Sequence, residues 1–336
     1  MSAEPEKAHV SAEFVHKAPL IACRFDRKNP HVFASAEDGS VQRWDLNATE
    51  PAKAAPVPYL GHESWVFALA PHPDGQTVLT GGGDGKLIWW SASSEKPEPA
   101  RVVEAHAGWV RSIALSPDGQ TVATCGNDRI VRLWAFADGA PLMELPGHDR
   151  PVYRLMFTPD GRSLISADLL GRVIVWDHRP GKEGRRLDAG KLYKYEGGQG
   201  VDYGGVRDLA LSPDGTYLAC AGLVEASNPL GAVSNPAILI FDWRTGQEFK
   251  LIRPKDDSKG VMWGLRYHPD GFLIGASGGT SGGRLWFFKP EGPNEFHKFA
   301  LPNTARDLDL HHDGLRLATA HHDGKLRVTT LAPKPA

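Results

Sequence analysis

The sequence has few cysteines, no excess of charge of either sign and no long apolar run, and each absence excludes a class of protein. Its 336 residues include three cysteines, Cys23, Cys125 and Cys220, all within strand-like apolar runs. So few cysteines make a poor disulfide framework and fit a reducing compartment better. The formal net charge of -2 and the pI near 6.7 give no overall basic excess of the kind that nucleic-acid-binding domains carry.

The sequence also lacks signals for a membrane or for secretion. No stretch approaches the roughly 20 consecutive apolar residues of a membrane span. The first ten residues, MSAEPEKAHV, contain no apolar segment of a secretory signal. With 41% hydrophobic and 23% charged residues, the composition is that of an ordinary folded domain rather than a disordered chain. The sequence therefore predicts a cytoplasmic protein with no membrane partner.

What the sequence does contain is a repeated pattern of short β-rich segments. In residues 106–134, HAGWVRSIALSPDGQTVATCGNDRIVRLW, turn residues separate the runs 110–115, 121–125 and 130–134. A meander of three such strands exposes one apolar face and is not stable alone. Neighbouring copies must therefore cover that face, as they do in repeat proteins.

The turn between the first two strands recurs along the chain at a regular spacing. Its aspartate stands at positions 74, 118, 160, 214, 270 and 313. Three of the five intervals match the period of about 40 to 45 residues that goes with four strands per propeller blade. The two longer intervals contain extra residues, at 178–190, at 196–205 and in the insertion 222–236, GLVEASNPLGAVSNP.

Three short signatures give these repeats a family resemblance. A Gly-His pair opens a repeat, a Pro-Asp-Gly turn follows its first strand, and a Trp-Asp pair closes its third strand. Besides the turns above, the signatures are Gly61-His62, Gly147-His148, Trp44-Asp45 and Trp176-Asp177. This punctuation resembles the WD-repeat (WD40) β-propellers and extends over essentially the whole chain. The resemblance implies an all-β fold, a seven-bladed β-propeller.

The resemblance also implies how the ring closes and where its blades lie. The N-terminal strand, about 9–15, would pair with 325–331 and complete the last blade, so that only short protected sheet edges remain. The whole chain would then be one domain. Its predicted blades are about 17–60, 61–105, 106–146, 147–200, 201–253, 254–302 and 303–331, the last together with the N-terminal strand.

In this family, a histidine before a blade, a Ser or Thr in its second strand, an aspartate in the next turn and the closing tryptophan form a buried hydrogen-bonded tetrad. The resemblance implies such tetrads in blades two, three and four. They are His62, Thr80, Asp84 and Trp90; His106, Thr124, Asp128 and Trp134; and His148, Ser166, Asp168 and Trp176. Asp168 lies two residues farther from its tryptophan than its counterparts do, which leaves the register of blade four open.

The other blades depart from this tetrad pattern. Blade seven keeps Thr319 and Asp323 but has Thr329 in the tryptophan position. Blades five and six have other residues where the aspartate and the tryptophan are expected, namely Phe241, Gly282 and Phe288. Apolar packing is therefore predicted to hold these blades together.

Three patterns suggest catalysis or metal binding, and we prefer a structural interpretation of each. The Ser/Thr, His and Asp sets recur at blade spacing, whereas a catalytic triad occurs once. Residues 275–279 match G-x-S-x-G, but a strand follows where a nucleophile elbow needs a helix. The pairs His311-His312 and His321-His322 would lie roughly 23 Å apart along a strand, so they are predicted to be solvated turn residues. No catalytic residue, cofactor or metal is predicted.

The positions expected at the centre of one face are rich in aromatic residues and arginines. This face carries the loops into strand one and between strands two and three, and WD-repeat proteins usually bind there; it is called the top face below. The ring residues lie two residues before the core aliphatic or equivalent residue of each first strand. They are Ile21, Phe67, Arg111, Tyr153, Arg207, Trp263 and Arg306. Trp65 and Trp109, two residues earlier in their blades, are expected on the same face.

Aromatic residues and arginine are the preferred anchors of protein interfaces, so the sequence predicts a non-enzymatic scaffold that binds a protein or peptide segment on the top face. The arginines suggest an acidic or phosphorylated ligand, and the insertion 222–236 and residues 277–283 could cover it. In a purely structural interpretation, some ring residues only plug the channel. Two alternatives stay open: a hydrolase or lyase at the channel mouth, beside Asp208 and Asp307, and nucleic-acid binding without a wider basic surround. The protein is predicted to be monomeric on its own.

Overall fold

The computed structural model describes residues 2–179, 181–198, 200–228, 233–256 and 258–334. Within these residues, seven four-stranded antiparallel sheets and one two-stranded sheet contain all the strands. The first strands of successive sheets contact one another in order, and the first strand of the last sheet contacts that of the first, which closes the ring. The predicted all-β, seven-bladed propeller is confirmed.

The first four blades follow chain order from the inner strand to the outer strand. Blade one contains β2 (Leu20–Phe25), β3 (His31–Ala36), β4 (Ser40–Asp45) and β5 (Val57–Leu60). Blade two contains β6 (Val66–Pro71), β7 (Thr77–Gly82), β8 (Lys86–Ser91) and β9 (Pro99–Glu104). Blade three contains β10 (Val110–Leu115), β11 (Thr121–Gly126), β12 (Ile130–Ala135) and β13 (Pro141–Pro146). Blade four contains β14 (Val152–Phe157), β15 (Leu164–Asp168), β16 (Arg172–Asp177) and β17 (Lys182–Asp188).

A separate hairpin precedes blade five. It pairs β18 (Tyr193–Glu196) with β19 (Val201–Gly204). Blade five contains β20 (Asp208–Leu211), β21 (Tyr217–Asn228), β22 (Val233–Asp242) and β23 (Glu248–Ile252). Blade six contains β24 (Val261–Tyr267), β25 (Leu273–Gly278), β26 (Gly283–Phe288) and β27 (Glu295–Leu301). Blade seven contains β28 (Ala305–Leu310), β29 (Arg316–His321), β30 (Lys325–Thr330) and β1 (His9–Val15). The 3-10 turns are Pro5–Lys7, Pro51–Lys53 and Gly190–Leu192.

The ring closes through its N-terminal strand, as predicted. Strand β1 pairs antiparallel with β30, from His9 opposite Thr330 to Val15 opposite Lys325. The strand also packs: the Phe14 side chain is fully buried and its ring lies 5.7 Å from that of Trp44 in blade one. Burying one phenylalanine in this way typically contributes several kcal/mol. The closing strand therefore holds blade seven to blade one as well as completing a sheet.

The hydrophobic core lies between neighbouring blades. One cluster joins Val131 of blade three to Leu155 and Trp176 of blade four, and another joins Tyr59 of blade one to Trp90 of blade two. Each sheet is therefore covered by its neighbours, which is the reason that a single blade is not stable alone.

The predicted tetrads form in blades two and three. In blade two, the Trp90 indole donates to Thr80 Oγ1 at 2.8 Å, and His62 joins that hydroxyl, 2.7 Å from its Nε2, to Asp84 Oδ2, 3.0 Å from its Nδ1. The corresponding distances in blade three are 2.9, 2.8 and 2.9 Å. Burial alone would raise the pKa of Asp84, but the hydrogen bonds from His62 and from the backbone N–H groups of Glu63 and Lys86, together with the charge of His62, outweigh burial and lower it.

Blade four also forms its tetrad, which resolves the open register. Asp168 occupies the last position of β15, the position of Gly82 in blade two. Its carboxylate lies 2.8 Å from His148 Nδ1, and Ser166 lies 2.7 Å from both His148 Nε2 and the indole of Trp176. In blade two, a Cβ on Gly82 would lie 2.4 Å from Asp84 and from His62. The tetrad carboxylate therefore lies at the same place in blades two and four, although the aspartate that provides it stands at a different position in each repeat.

Blades one and six depart from the tetrad in different ways. In blade one, His16 Nε2 lies 2.8 Å from Asp38, but Ala34 stands where Thr80 stands in blade two, and the buried Trp44 Nε1 has no hydrogen-bond partner among the described residues. In blade six, Trp286 donates to Ser277 at 2.8 Å. Blade six, which was predicted to be held mainly by apolar packing, therefore also has an indole–hydroxyl hydrogen bond, made by a tryptophan two residues before Phe288.

Blade seven corrects the prediction for the paired histidines. His321 is fully buried: its Nε2 lies 2.8 Å from Thr319 Oγ1 and its Nδ1 donates to the Asn303 carbonyl at 3.0 Å. His311 is also buried, with its ring edge-on to Phe25. Their neighbours His312 and His322 are exposed. In each pair, therefore, the first histidine is buried and the second is solvated.

Candidate functional site

A β-bulge places most of the ring residues. In six of the first strands, the pairing with the second strand shifts by one residue, and the residue left out of the ladder is the ring residue. In blade five the first strand begins at Asp208, one residue after the ring residue Arg207. The Arg207 N–H donates to the Ala221 carbonyl at 2.8 Å. A bulge bends the strand and turns the side chain of its extra residue. The six bulged ring residues are Ile21, Phe67, Arg111, Tyr153, Trp263 and Arg306.

The structure brings all eight predicted binding residues together around one cavity of about 320 Å³ on the top face. Trp65 and Trp109 flank it with exposed fractions of 43% and 37%. The side chains around the cavity are Ile21, Ala22, Trp65, Phe67, Trp109, Arg111, Tyr153, Arg154, Arg207, Trp263, Arg306 and Asp307. The cavity is therefore lined mainly by aromatic rings and guanidinium groups.

The guanidinium of Arg111 lies among three aromatic rings. Its Cζ is 4.9 Å from the ring centroid of Phe67, 4.2 Å from that of Trp109 and 4.4 Å from that of Tyr153. The rings of Phe67 and Trp109 are themselves stacked, with centroids 4.7 Å apart. Such cation–π contacts fix the guanidinium without neutralising its charge.

Arg207 continues the same stack on the other side of Tyr153. Its Cζ lies 4.6 Å from the Tyr153 centroid and 5.3 Å from that of Trp263. Its Nε is buried and has no hydrogen-bond partner in the described chain. A buried donor without a partner costs free energy, and a ligand acceptor would remove that cost.

Arg306 differs from the other two ring arginines. Its Nη1 donates to Glu37 Oε1 at 2.5 Å, and both side chains are largely buried. By contrast, Arg111 Nε donates to the neutral amide oxygen of Asn127 at 2.8 Å. Arg306 is therefore neutralised by Glu37, whereas Arg111 has no carboxylate partner among the described residues.

The channel below the cavity contains a network of ion pairs that the sequence did not indicate. Arg154 Nε donates to Asp208 at 2.5 Å and its Nη2 donates to Asp307 at 3.2 Å. Arg24 also pairs with Asp307, and Arg266 donates to Asp208 at 3.0 Å. Asp208 and Asp307 are thus fully engaged as acceptors and lie beneath the ring.

The arginines of this network determine the charge state of Asp208. Burial alone would raise the pKa of Asp208, but Arg154 and Arg266 outweigh burial and hold it at about 2. The same carboxylates raise the pKa of Arg154 above its usual value. These groups are therefore charged pairs at neutral pH, and Asp208 is a poor candidate for a general acid or base.

The extra residues of blade five form part of the site rather than a separate loop. Strand β21 continues through the insertion to Asn228 and pairs with β22, with Asn228 opposite Val233. Within the insertion, Leu223 and Ala226 are buried in a cluster with Val261, and Trp263 and Tyr203 pack against that cluster. The insertion therefore supports a ring residue; residues 229–232 of the insertion lie outside the described residues.

The other patterns considered in the sequence do not form catalytic sites. Ser277, in the G-x-S-x-G match, lies within β25 and accepts the Trp286 hydrogen bond, and β26 follows it. Across the described ranges, no group of three or more His, Cys, Asp or Glu side chains is placed to hold a metal ion. In the same part of the chain, no helix has the length and apolar character needed to cross a bilayer.

Comparison with known proteins finds one family model, described as WD domain, G-beta repeat. It matches residues 56–91, 97–135, 139–177 and 193–223. The first three matches each begin with the outer strand of one blade and continue through three strands of the next. The sequence repeat is therefore offset by one strand from the structural blade, so that each repeat links two sheets.

Similar proteins come from several eukaryotes. The chain is 26% identical to Periodic tryptophan protein 2 of Arabidopsis thaliana over 62% of the chain and 23% of that protein. It is 24% identical to Transcription initiation factor TFIID subunit 5 of Caenorhabditis elegans over 77% of the chain and 37% of that protein. It is 27% identical to Nuclear distribution protein PAC1 of Arthroderma otae over 50% of the chain and 40% of that protein. The match thus spans less than half the length of each of these relatives.

Proposed function

The chain belongs to the WD-repeat β-propeller family, and from that premise we propose that it is a non-enzymatic scaffold that binds a protein or peptide segment on its top face. The observation that carries this proposal is the convergence of Trp65, Phe67, Trp109, Arg111, Tyr153, Arg207, Trp263 and Arg306 around one cavity. Aromatic and arginine side chains of this kind provide most of the energy at protein interfaces.

The ligand segment is proposed to be acidic or phosphorylated. Arg111 and Arg207 have no carboxylate partner among the described residues, although they lie in the wall of the cavity. A carboxylate or phosphate would make charge-assisted hydrogen bonds with them. Binding should then weaken as salt rises, because the Debye length falls from about 10 Å at 0.1 M to about 3 Å at 1 M.

The proposal is for binding rather than catalysis, and it rests on where the chemically reactive groups lie. The Ser/Thr, His and Asp sets are buried inside blades two to four, away from the cavity lining. The acids closest to the cavity are held in ion pairs with Arg24, Arg154 and Arg266. One relative is named as a subunit of a transcription initiation factor, and we propose that this chain likewise works by joining an assembly. That it is cytoplasmic and monomeric on its own is proposed from the sequence alone.

Affinity capture from native lysate tests the proposal. Wild-type protein is compared with the Arg111/Arg207/Arg306 triple alanine variant and with Trp263→Ala, which removes an aromatic side chain beside the cavity. We expect both variants to lose partners that wild type recovers, with Trp263→Ala costing about 2 kcal/mol or more if it is a hot spot. The loss of affinity caused by Trp263→Ala should be similar at low and high salt.

The matched control is Leu142→Ala, which changes an exposed residue of the outer strand of blade three. Thermal unfolding of every variant separates lost binding from lost folding. If the ring variants recover the same partners as wild type, the top-face site is wrong. If the ring variants bind a partner as tightly as wild type and that partner is lost only when residues 223–235 are shortened, the site lies on the blade-five insertion.

A further inference from the structure

We propose that two side chains beside the ring, Glu37 and Asn127, determine which arginines are available to an oxyanion of the ligand. Asn127 leaves the charge of Arg111 available, next to that of Arg207, whereas Glu37 withholds Arg306. The inference rests on the proposed function and names the ligand chemistry of the same site: a carboxylate or phosphate group bound beside Tyr153.

Glu37 and Asn127 occupy equivalent positions in blades one and three. Each directly precedes the aspartate that pairs with the histidine before its blade, Asp38 with His16 and Asp128 with His106. The backbone supports the equivalence. The N–H of Glu37 donates to the Pro19 carbonyl at 3.0 Å and the N–H of Asn127 donates to the Trp109 carbonyl at 3.1 Å, in each case two residues before the ring residue.

A side chain at this position reaches the ring, but its chemistry differs between the two blades. Asn127 accepts from Arg111 in its own blade, and Glu37 accepts from Arg306 in the neighbouring blade. The amide is neutral and the carboxylate is negative. The same place in the fold therefore supplies a counter-ion to one ring arginine and none to the other.

The charge balance of the cavity follows from these contacts. The pair of Arg306 and Glu37 has no net charge, and the arginines of the channel below are paired with aspartates. Arg111 and Arg207 stack on opposite sides of Tyr153, and each keeps its positive charge. Burial lowers the pKa of Arg111, which shows that its charge is poorly solvated.

A donor beside Trp263 indicates an acceptor-rich group. Arg207 Nε is buried without a hydrogen-bond partner in the described residues, and its guanidinium lies over the Trp263 ring at the cavity. Carboxylate and phosphate oxygens accept several hydrogen bonds at once and neutralise guanidinium groups. An oxyanion is the group that satisfies both needs together.

Two nearly isosteric substitutions test the proposal without removing any ring residue. Asn127→Asp gives Arg111 a carboxylate, and Glu37→Gln frees Arg306. The probes are labelled pentapeptides with leucine on both sides of a central phosphoserine, glutamate or glutamine, measured by fluorescence anisotropy. The phosphoserine and glutamate peptides distinguish the two sources of the oxyanion.

We expect wild type to bind at least one charged peptide about tenfold more tightly than the glutamine peptide, since an ionised acceptor makes stronger hydrogen bonds. Asn127→Asp should weaken that binding by about tenfold, and Glu37→Gln should strengthen it by about threefold or more, because like charges beside an oxyanion repel it. Neither change should alter binding of the glutamine peptide.

The controls carry the same charge changes at exposed positions outside the cavity lining: Asn47→Asp and Glu98→Gln. Equal affinity of wild type and both ring-side variants for the charged peptides would overturn the proposal. So would a wild type that does not prefer the charged peptides. In either case, partners captured from lysate and lost in Trp263→Ala would leave the proposed function standing, so the two failures are distinguishable.

Discussion

At the end of the blade where the tetrad forms, blades one, six and seven have other residues and other hydrogen bonds than blades two to four. In blades two to four, a hydroxyl joins an indole to an imidazole, and an aspartate holds the imidazole. Blade six keeps an indole–hydroxyl bond from a shifted tryptophan, blade seven uses a histidine of its own second strand, and blade one lacks the hydroxyl. The tetrad is therefore one of several ways to give these buried donors a partner, and blade one leaves the indole of Trp44 without one.

Blades two and three also differ from blades five and six in what they contribute to the site. Blades two and three supply the exposed Trp65 and Trp109, whereas the insertion of blade five packs behind Trp263. The regular part of the ring therefore presents open aromatic surface, and the irregular part adds a supported wall. The following changes test how far this difference extends to stability.

The largest effect is expected from removing the strand that completes blade seven. Deleting residues 1–16 leaves the outer edge of β30 unpaired, while β29 still pairs with its other edge, and exposes the surface that Phe14 covers. Losing one buried phenylalanine alone costs about 3 to 5 kcal/mol. We expect a lower melting temperature and self-association through the free edge, measured by calorimetry and size-exclusion chromatography. Deletion of 2–8 keeps β1 and is the control; unchanged melting and monomeric state after the longer deletion would refute the closure.

The next effect is acid sensitivity specific to blade seven. Burial, assisted by Arg327, lowers the pKa of His321 to about 4, whereas in an unfolded chain it is about 6.5. The unfolded state therefore binds a proton that the folded state does not, so stability falls as the pH drops from 6.5 to 4, by up to about 3 kcal/mol. Urea unfolding at pH 7, 5.5 and 4 should show that His321→Gln loses this part of the pH dependence. The exposed His322→Gln should keep it, and parallel pH profiles for all three proteins would contradict the assignment.

A smaller effect is expected within the regular blades. Asp128→Ala leaves the buried His106 without its acceptor and should destabilise by about 1 to 3 kcal/mol. The equivalent change in blade one, Asp38→Ala, removes a carboxylate that is 41% exposed and should cost less than about 1 kcal/mol. Denaturant unfolding of both variants makes the comparison. Equal losses of unfolding free energy would mean that the two aspartates contribute equally to stability.

The smallest effect is a gain. Ala34→Ser places a hydroxyl where blades two to four have one and gives Trp44 Nε1 an acceptor. We expect stabilisation of up to about 1 kcal/mol, the usual net worth of a hydrogen bond. Ala36→Ser, at another fully buried position of β3, is the control and should destabilise. A loss in both variants would show that blade one has no room for the tetrad geometry.

Much of the fold could be predicted because its signals are local. The turn spacing, the strand pattern and the tetrad residues lie within single repeats, and counting from the core residue of each first strand located the ring. The pair of Arg306 and Glu37 could not be found in this way, because its members are 269 residues apart and no local pattern joins them. The Arg154 network is similar, since its carboxylates come from blades five and seven.

The solvent exposure of single residues was harder to predict for a different reason. In a strand, a shift of one residue moves a side chain to the opposite side, so the position of a strand end decides whether His321 or His322 is buried. The strand β29 includes His321, which was predicted to lie in the turn. Similarly, Asp168 reaches the tetrad from inside β15, which its distance from Trp176 along the sequence did not reveal.

The closing strand also sets the order in which the chain can fold during synthesis. Glu13 of β1 and its partner Lys325 of β30 are 312 residues apart, the full circuit of the ring. At about 5 to 20 residues per second, a ribosome needs roughly 15 to 60 s to make the chain between them. Blade seven cannot form in that time, so β1 and the side chain of Phe14 must wait for their partner while the earlier blades assemble. Completion of the ring is therefore the last step in the assembly of the propeller.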